Sequence, residues 1–94
     1  MDFIDEDIEN YAYDHTEIED DLLWRLELET HEQLEIPQML TGRIEGRLLK
    51  ILAQLLEARR IIEIGTFGGY SAISMAEALP EDGYLITCEV DPVA

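Results

Sequence analysis

The sequence predicts an α/β chain in which amphipathic helices lead into a single β-α-β unit with two parallel strands. Three observations carry that prediction. The run Ile61-Ile62-Glu63-Ile64 is the continuous, β-branched pattern of a parallel strand buried on both faces. Gly65, Gly68 and Gly69 follow it directly, and glycines there let the backbone turn sharply and approach a ligand where a Cβ would collide. After one further short helical stretch, Tyr84 to Val90 repeats the apolar strand pattern.

Taken in order, Met1 to His15 is acidic with interspersed Phe3, Ile4, Ile8, Tyr11 and Tyr13, which suits a short helix docked on the body or on another subunit; fraying is the alternative. Thr16-Glu17-Ile18-Glu19 matches a capping box, in which the threonine oxygen accepts from the N3 amide and Glu19 reaches back to the cap. A helix over about Glu17 to Gln33 follows. Its apolar residues Ile18, Leu22, Leu23, Trp24 and Leu26 cover more than one face, so a dimer contact and ordinary packing on its own domain are equally good readings. His15 and His31 have no partner at metal-ligand spacing and are read as surface or capping residues.

After Pro37, a helix from Gly42 or Arg43 to Ala58 places Ile44, Leu48, Ile51, Leu52 and Leu55 on one apolar face suited to covering the sheet. Arg43, Arg47 and Lys50 fall on other faces, solvated or paired with the abundant acids. Arg59-Arg60 would complement the macrodipole at the helix end and cap the first strand. The next helix, Tyr70 to Leu79, stops before Pro80 because the residue preceding proline is pushed out of the α region. Ala72 and Ala76 would allow it close packing on the sheet.

The turn chemistry discriminates between cofactors. A dinucleotide fingerprint spaces its glycines G-x-G-x-x-G, whereas this chain has G-x-x-G-G, with Glu63 two positions ahead of Gly65. A carboxylate so close opposes a pyrophosphate and welcomes a cationic centre. Glu89, at the tip of the second strand about 20 residues beyond the glycine turn, occupies the place from which a carboxylate accepts from a ribose diol. S-adenosylmethionine, with an ammonium, a sulfonium and no phosphate, fits both acids.

The run from Met39 to Pro92 resembles the N-terminal portion of the S-adenosylmethionine-dependent O-methyltransferases that include catechol and caffeoyl-CoA O-methyltransferases. The resemblance rests on Glu63 to Ala72, the Leu-Pro-Glu-Asp-Gly turn at Leu79 to Gly83, the acidic strand end followed by Asp91-Pro92, and the upstream segments Pro37 to Thr41 and Glu45 to Leu49. Gly68 departs from it, standing where many relatives carry threonine or cysteine, which should loosen the turn slightly.

The resemblance implies an α/β fold of N-terminal helices (1–41) plus the first β-α-β unit (42–94) of a Rossmann-like methyltransferase fold, truncated after that unit. It implies that Glu63 lies near the ammonium of the methionine moiety, that the Gly65, Thr66, Gly69 and Tyr70 stretch lies against the cofactor, and that Glu89 takes the ribose hydroxyls. Ser71 would bond the methionine carboxylate, and Met39 and Thr41 would line the approach to the sulfonium. A divalent metal, usually magnesium, belongs to later residues of the complete family fold, so neither catalytic nor metal-binding residues are expected among these.

Length and charge bound the rest. With 94 residues the chain forms one small domain burying roughly 60–65% of its unfolded surface. Two parallel strands alone leave open edges and an apolar sheet face, which calls for a covering partner, most simply a second copy in a homodimer or larger assembly. The net charge of −16, from 22 acidic against 6 basic residues, argues against nucleic acid or an anionic membrane and leaves a small molecule as ligand. The lone Cys88, inside the second strand, is read as a buried inert thiol in a reducing cytoplasm. No basic leader opens the sequence, and no apolar run approaches the ~20 residues of a membrane span.

Three function classes follow: the donor-binding part of an O-methyltransferase acting on a hydroxyl of a small catechol-like acceptor and inactive by itself; a non-catalytic, self-associating cofactor-binding module; and a dinucleotide-binding oxidoreductase fragment. The glycine spacing and Glu63 speak against the last.

Overall fold

The computed structural model describes residues 4–92. Phe3 and the chain end at Val93-Ala94 lie outside the described residues. The elements run α1 (Glu6–Asp14), α2 (Asp21–Gln33), a short 3₁₀ turn (Pro37–Met39), α3 (Gly42–Leu55), β1 (Arg60–Ile64), α4 (Tyr70–Ala76) and β2 (Tyr84–Cys88). The two strands pair in parallel with Arg60 opposite Tyr84, Glu63 opposite Thr87 and Ile64 opposite Cys88, so β1-α4-β2 is one crossover unit. The architecture is α/β, as the sequence predicts, with N-terminal helices ahead of the unit.

Helix α1 begins at an aspartate cap, Asp5, whose Oδ1 accepts from the Asp7 amide at 2.8 Å. It buries no residue. What ties it down is Arg43 of α3, whose Nη2 donates to the Tyr13 carbonyl and whose guanidinium lies 4.8 Å from the Tyr13 ring centre. A cation on the last-turn carbonyls complements the helix dipole. His15 is the C-terminal cap residue, stacked on Tyr11 with ring centres 3.9 Å apart.

The capping box does not form. Helix α2 starts at Asp21, and Asp20 is its cap, accepting from the Leu23 amide at 3.0 Å. Thr16 Oγ1 instead donates back to the Ala12 carbonyl at 2.5 Å, and Glu19 accepts from the Tyr70 hydroxyl. An aspartate one residue past the box competes for the same orphan amides and is as good a cap as threonine. Of the apolar residues on this helix, Leu23 is buried while Leu22 and Trp24 stay exposed.

Helix α2 packs against α4 through a polar seam. The Asp20 and Glu77 carboxyls are neighbours there, beside Lys50, whose Nζ lies 3.8 Å from Glu77 Oε1. The Leu23 amide, then the Glu77 contact, hold the Asp20 carboxyl below its ordinary value, whereas desolvation, then the Asp20 contact, push Glu77 up. Desolvation, then the neighbouring Glu19 carboxylate, likewise raise Glu27.

Helix α3 ends at Leu55, three residues short of the predicted Ala58, and it packs chiefly on α4 rather than on the strands. Its buried positions are the small ones, Gly46 and Ala53, while Leu48, Ile51, Leu52 and Leu55 of the expected sheet-covering face remain exposed. The reason is steric. A Cβ on Gly46 would stand 2.7 Å from Tyr70 Cε1 and 2.8 Å from Ser74 Oγ, so the bare glycine admits the Ser74 side chain and the fully buried Tyr70 ring of α4. Arg47 pairs with Glu17 at 3.3 Å, so Arg47 and Lys50 meet acids as expected.

Arg59 and Arg60 do not serve the end of α3. Arg59 Nη1 bonds Asp82 Oδ2 at 2.6 Å across the turn before β2, and Arg60 is the first residue of β1, set against the Tyr84 ring. That turn closes with the Gly83 amide on the Pro80 carbonyl at 2.9 Å. Helix α4 ends at Ala76 and unwinds through a turn over residues 77–79; Ala72 is buried and Ala76 exposed. Strand β2 ends at Cys88, before Val90.

Both strands alternate exposed and half-buried residues rather than being buried throughout. One face, with Ile61, Glu63, Leu85 and Thr87, is half-buried, and α4 packs on β2. The other presents Ile62 at 73% and Ile64 at 83% exposure, together with Ile86 and Cys88. Cys88 is therefore an exposed thiol, contrary to the buried reading, because its parity places it on the face that no described helix covers.

Candidate functional site

The carboxyl ends of both strands open into a cleft of about 710 Å³. In open parallel sheets this is where ligands are held. Its walls come from the α2 exit (Gln33 to Ile36), from Met39, Leu40 and Thr41, from Ile64 to Gly68, from Tyr70 and Ser71, and from Glu89 and Asp91. No lysine, arginine or histidine stands in this wall, while three carboxylates do, Glu35, Glu89 and Asp91.

The glycine turn is built by backbone constraint. Gly65 and Gly69 both take φ of +95°, with open space around each, so the demand is conformational. Gly68 has an ordinary φ and a different reason: a Cβ there would meet Thr30 Oγ1 at 3.0 Å, so its bareness lets α2 close onto the turn. Phe67 is held at φ +51°, uncommon for an aromatic residue and typical of ligand-gripping turns. Amides of Gly65 and Thr66 both donate to the Cys88 carbonyl, at 2.8 and 3.1 Å, which stitches the turn to the end of β2.

Glu89 fastens the outer side of the turn. Its Oε1 accepts from the Phe67 amide at 2.6 Å and its Oε2 from the Val90 and Asp91 amides at 3.1 Å each. Those bonds, the Phe67 one foremost, hold its carboxyl below the ordinary glutamate value. These amides engage both carboxylate oxygens, on a side chain that is itself exposed.

Glu63 fastens the inner side. Its Oε2 accepts from the Ser71 hydroxyl and its Oε1 from Thr87 Oγ1 at 2.7 Å. Glu63 is not itself in the cleft wall and communicates with it through Ser71, which is. The Ser71 proton is spent on Glu63, so the hydroxyl as it stands presents an acceptor to the cleft and is not the donor to a methionine carboxylate that the resemblance implies.

Of the residues singled out in the sequence, Met39, Thr41, Gly65, Thr66, Tyr70, Ser71 and Glu89 all line the cleft, with Met39 at 63% exposure. Gly69 stands just behind the wall as the cap residue of α4. Tyr70 commits its hydroxyl to Glu19, away from the cleft, and burial followed by that carboxylate pushes its phenol upward. The wall also holds Gly68 of the predicted glycine turn, and residues not anticipated are the Gln33 to Ile36 segment, Leu40, Ile64, Phe67, Asp91 and, one bond behind, Thr87. Thr87 stands opposite Glu63 through the parallel register, which only the strand pairing fixes.

The O-methyltransferase family pattern matches residues 8–94. The chain belongs to the O-methyltransferase family. It is 42% identical over 87 residues to a catechol O-methyltransferase of Niastella koreensis, covering 93% of this chain and 39% of that protein. Among solved structures it is similar to the O-methyltransferase TomG from Streptomyces achromogenes, determined in complex with SAM, at a TM-score of 0.77 and 42% identity over 86% of this chain and 36% of that one. A second, described as a putative O-methyltransferase from Klebsiella pneumoniae, gives a TM-score of 0.82 at 38% identity, covering 92% and 39%. The chain thus spans about two fifths of the length of these relatives, the part that holds the first β-α-β unit of the Rossmann-like fold.

Proposed function

We propose that this chain carries the S-adenosylmethionine-binding portion of an O-methyltransferase that acts on a hydroxyl of a small, catechol-like acceptor. The observation that carries the reading is the charge of the cleft: carboxylates and hydroxyl lone pairs around a glycine turn, with no basic side chain among the described wall residues. A pyrophosphate would meet no cation there, whereas an ammonium and a sulfonium are both complemented.

Glu63, behind Ser71, attracts the ammonium, and Glu89 takes the ribose hydroxyls. Gly65 and Thr66 give the backbone approach, Gly69 and Tyr70 set the start of α4 behind it, and Met39 and Thr41 flank the reacting end. The bound donor supplies an electrophilic methyl group on sulfur, and holding it in line with the acceptor oxygen supplies most of the acceleration. The described residues contain no cluster of three or more His, Cys, Asp or Glu able to hold a metal ion. In this reading a divalent ion, like the acceptor pocket, belongs to the part of the fold that the relatives have beyond this unit, and the 94-residue chain alone does not turn over.

Titration calorimetry with S-adenosylmethionine and with NAD tests the reading. Heat from the sulfonium ligand alone supports it, and binding of NAD in its place sinks it. Methylation of catechol by the isolated chain would refute the claim of inactivity. No described helix is long and apolar enough to cross a membrane, and the acidic surface suits a cytoplasmic setting. Self-association is the second reading, favoured by the bare Ile62, Ile64 and Ile86 face and by exposed Trp24. Sedimentation should then give a dimer or larger, and a monomer at high concentration would exclude it.

A further inference from the structure

We infer that Thr87 is a positioning residue for the donor site, coupling the glycine turn to the Glu63 carboxylate through its hydroxyl. The inference rests on the donor-binding reading for its ligand and on hydrogen bonding for its geometry. Parallel register places Thr87 opposite Glu63 on the half-buried face of the sheet. Thr87 Oγ1 donates to Glu63 Oε1 at 2.7 Å and lies 2.6 Å from Thr66 Oγ1.

A threonine hydroxyl has one proton. Thr87 spends it on Glu63, so Thr66 is the donor in the second bond. Ser71 donates to the other oxygen of Glu63. Protons from the turn, from β2 and from α4 are therefore all directed along one chain that ends on the Glu63 carboxylate. No ion pair among the described residues involves Glu63. Its orientation is set by uncharged donors, which leaves its charge available to a cation arriving at Ser71.

The consequence is specific to the Thr87 oxygen. Thr87→Val keeps the shape of the side chain but takes one of two hydroxyl donors from Glu63 and the acceptor from Thr66. Thr87→Ser keeps the oxygen and loses only a methyl group. A role confined to packing would make Ser at least as harmful as Val; a positioning role reverses that order.

The test pairs two readouts on the 94-residue chain. In calorimetry with S-adenosylmethionine, Thr87→Val should weaken binding about tenfold or more, the scale of a lost hydrogen bond to a charged group. Thr87→Ser should stay within about threefold of wild type on the same scale. In amide hydrogen exchange without ligand, the Thr66 to Gly69 amides should exchange several-fold faster in the valine variant than in the other two proteins, with the α3 amides unchanged. Turn amides as protected in Thr87→Val as in wild type, or a serine variant as impaired as the valine one, would overturn the assignment. Failure of the wild-type chain to bind S-adenosylmethionine, with the exchange response intact, would instead overturn the donor reading and uphold the positioning of the turn.

Discussion

Replacing Gly46 by alanine probes the contact that holds α3 on α4. Two effects oppose each other. An interior helical glycine costs about 1 kcal/mol relative to alanine, so on propensity alone the change stabilises. The structure sets against this a Cβ at 2.7 Å from Tyr70 Cε1, 2.8 Å from Ser74 Oγ and 3.2 Å from Tyr70 Cδ1. Ordinary carbon contacts lie at about 3.5–4.0 Å, so the helices must part by about 1 Å. Neither neighbour gives way easily: both are 2% exposed, Ser74 Oγ donates to the Tyr70 carbonyl at 2.8 Å, and the Tyr70 hydroxyl is tied to Glu19. Overpacking of this kind costs about 1–3 kcal/mol. With the propensity gain subtracted, and the cost at the upper end because both neighbours are pinned, a net loss of about 1–2 kcal/mol is expected. At about 4–8 °C per kcal/mol for a domain this size, the melting temperature should fall by roughly 5–15 °C. Thermal unfolding by circular dichroism reads it directly, with Gln54→Ala, exposed on the same helix, as the control expected to stay within about 0.5 kcal/mol. A Gly46→Ala chain that melts at or above wild type would refute the steric account.

Asp20→Ala should cost about 1 kcal/mol in denaturant unfolding while Thr16→Ala costs less than half of that, since Asp20 is the working cap; the reverse order would restore the capping box. At Gly69, φ +95° with open space around it makes the penalty for alanine one of backbone alone, about 1–2 kcal/mol, and asparagine should lose visibly less; equal losses would point to a steric cause. The pH dependence has a defined sign. Glu27 and Glu77 have raised carboxyls, so their contribution is complete below the ordinary glutamate value of 4.5 and is lost as pH climbs through the folded values. Asp20 and Glu89 are lowered, so theirs is present above the ordinary values of 3.8 and 4.5 and is lost as pH falls through the folded ones. Melting temperature should rise as pH is lowered from neutral toward the ordinary glutamate value of 4.5 and fall once pH drops below the ordinary aspartate value of 3.8, with Glu27→Gln plus Glu77→Gln flattening the rise; a rise of unchanged size in that double variant would remove these two carboxyls from the explanation.

Much of the site was legible in the residues because glycine turns and strand-end carboxylates are local. Gly65 and Gly69 need positive φ whatever surrounds them, and seven of the nine residues singled out line the cleft. Thr87 was passed over because its role depends on register, which brings it opposite Glu63 from another strand. Cys88 was misplaced for a related reason. A continuous apolar run does not say which face a helix will cover, and only the side on which α4 sits decides that Thr87 is sheltered and Cys88 bare. The apolar stripe of α3 was equally visible, but its partner was not, since the small residues Gly46 and Ala53 turn the helix toward α4.

By itself, then, the sequence determined the element order, the parallel β-α-β unit and the glycine turn, because each follows from local backbone preference and periodicity. Tertiary structure alone decided where the hydroxyl protons go, which carboxylate fastens which side of the turn, and which apolar faces remain uncovered. Those are relations between residues far apart in the chain, and hydrogen-bond direction and burial exist only once packing has brought them together.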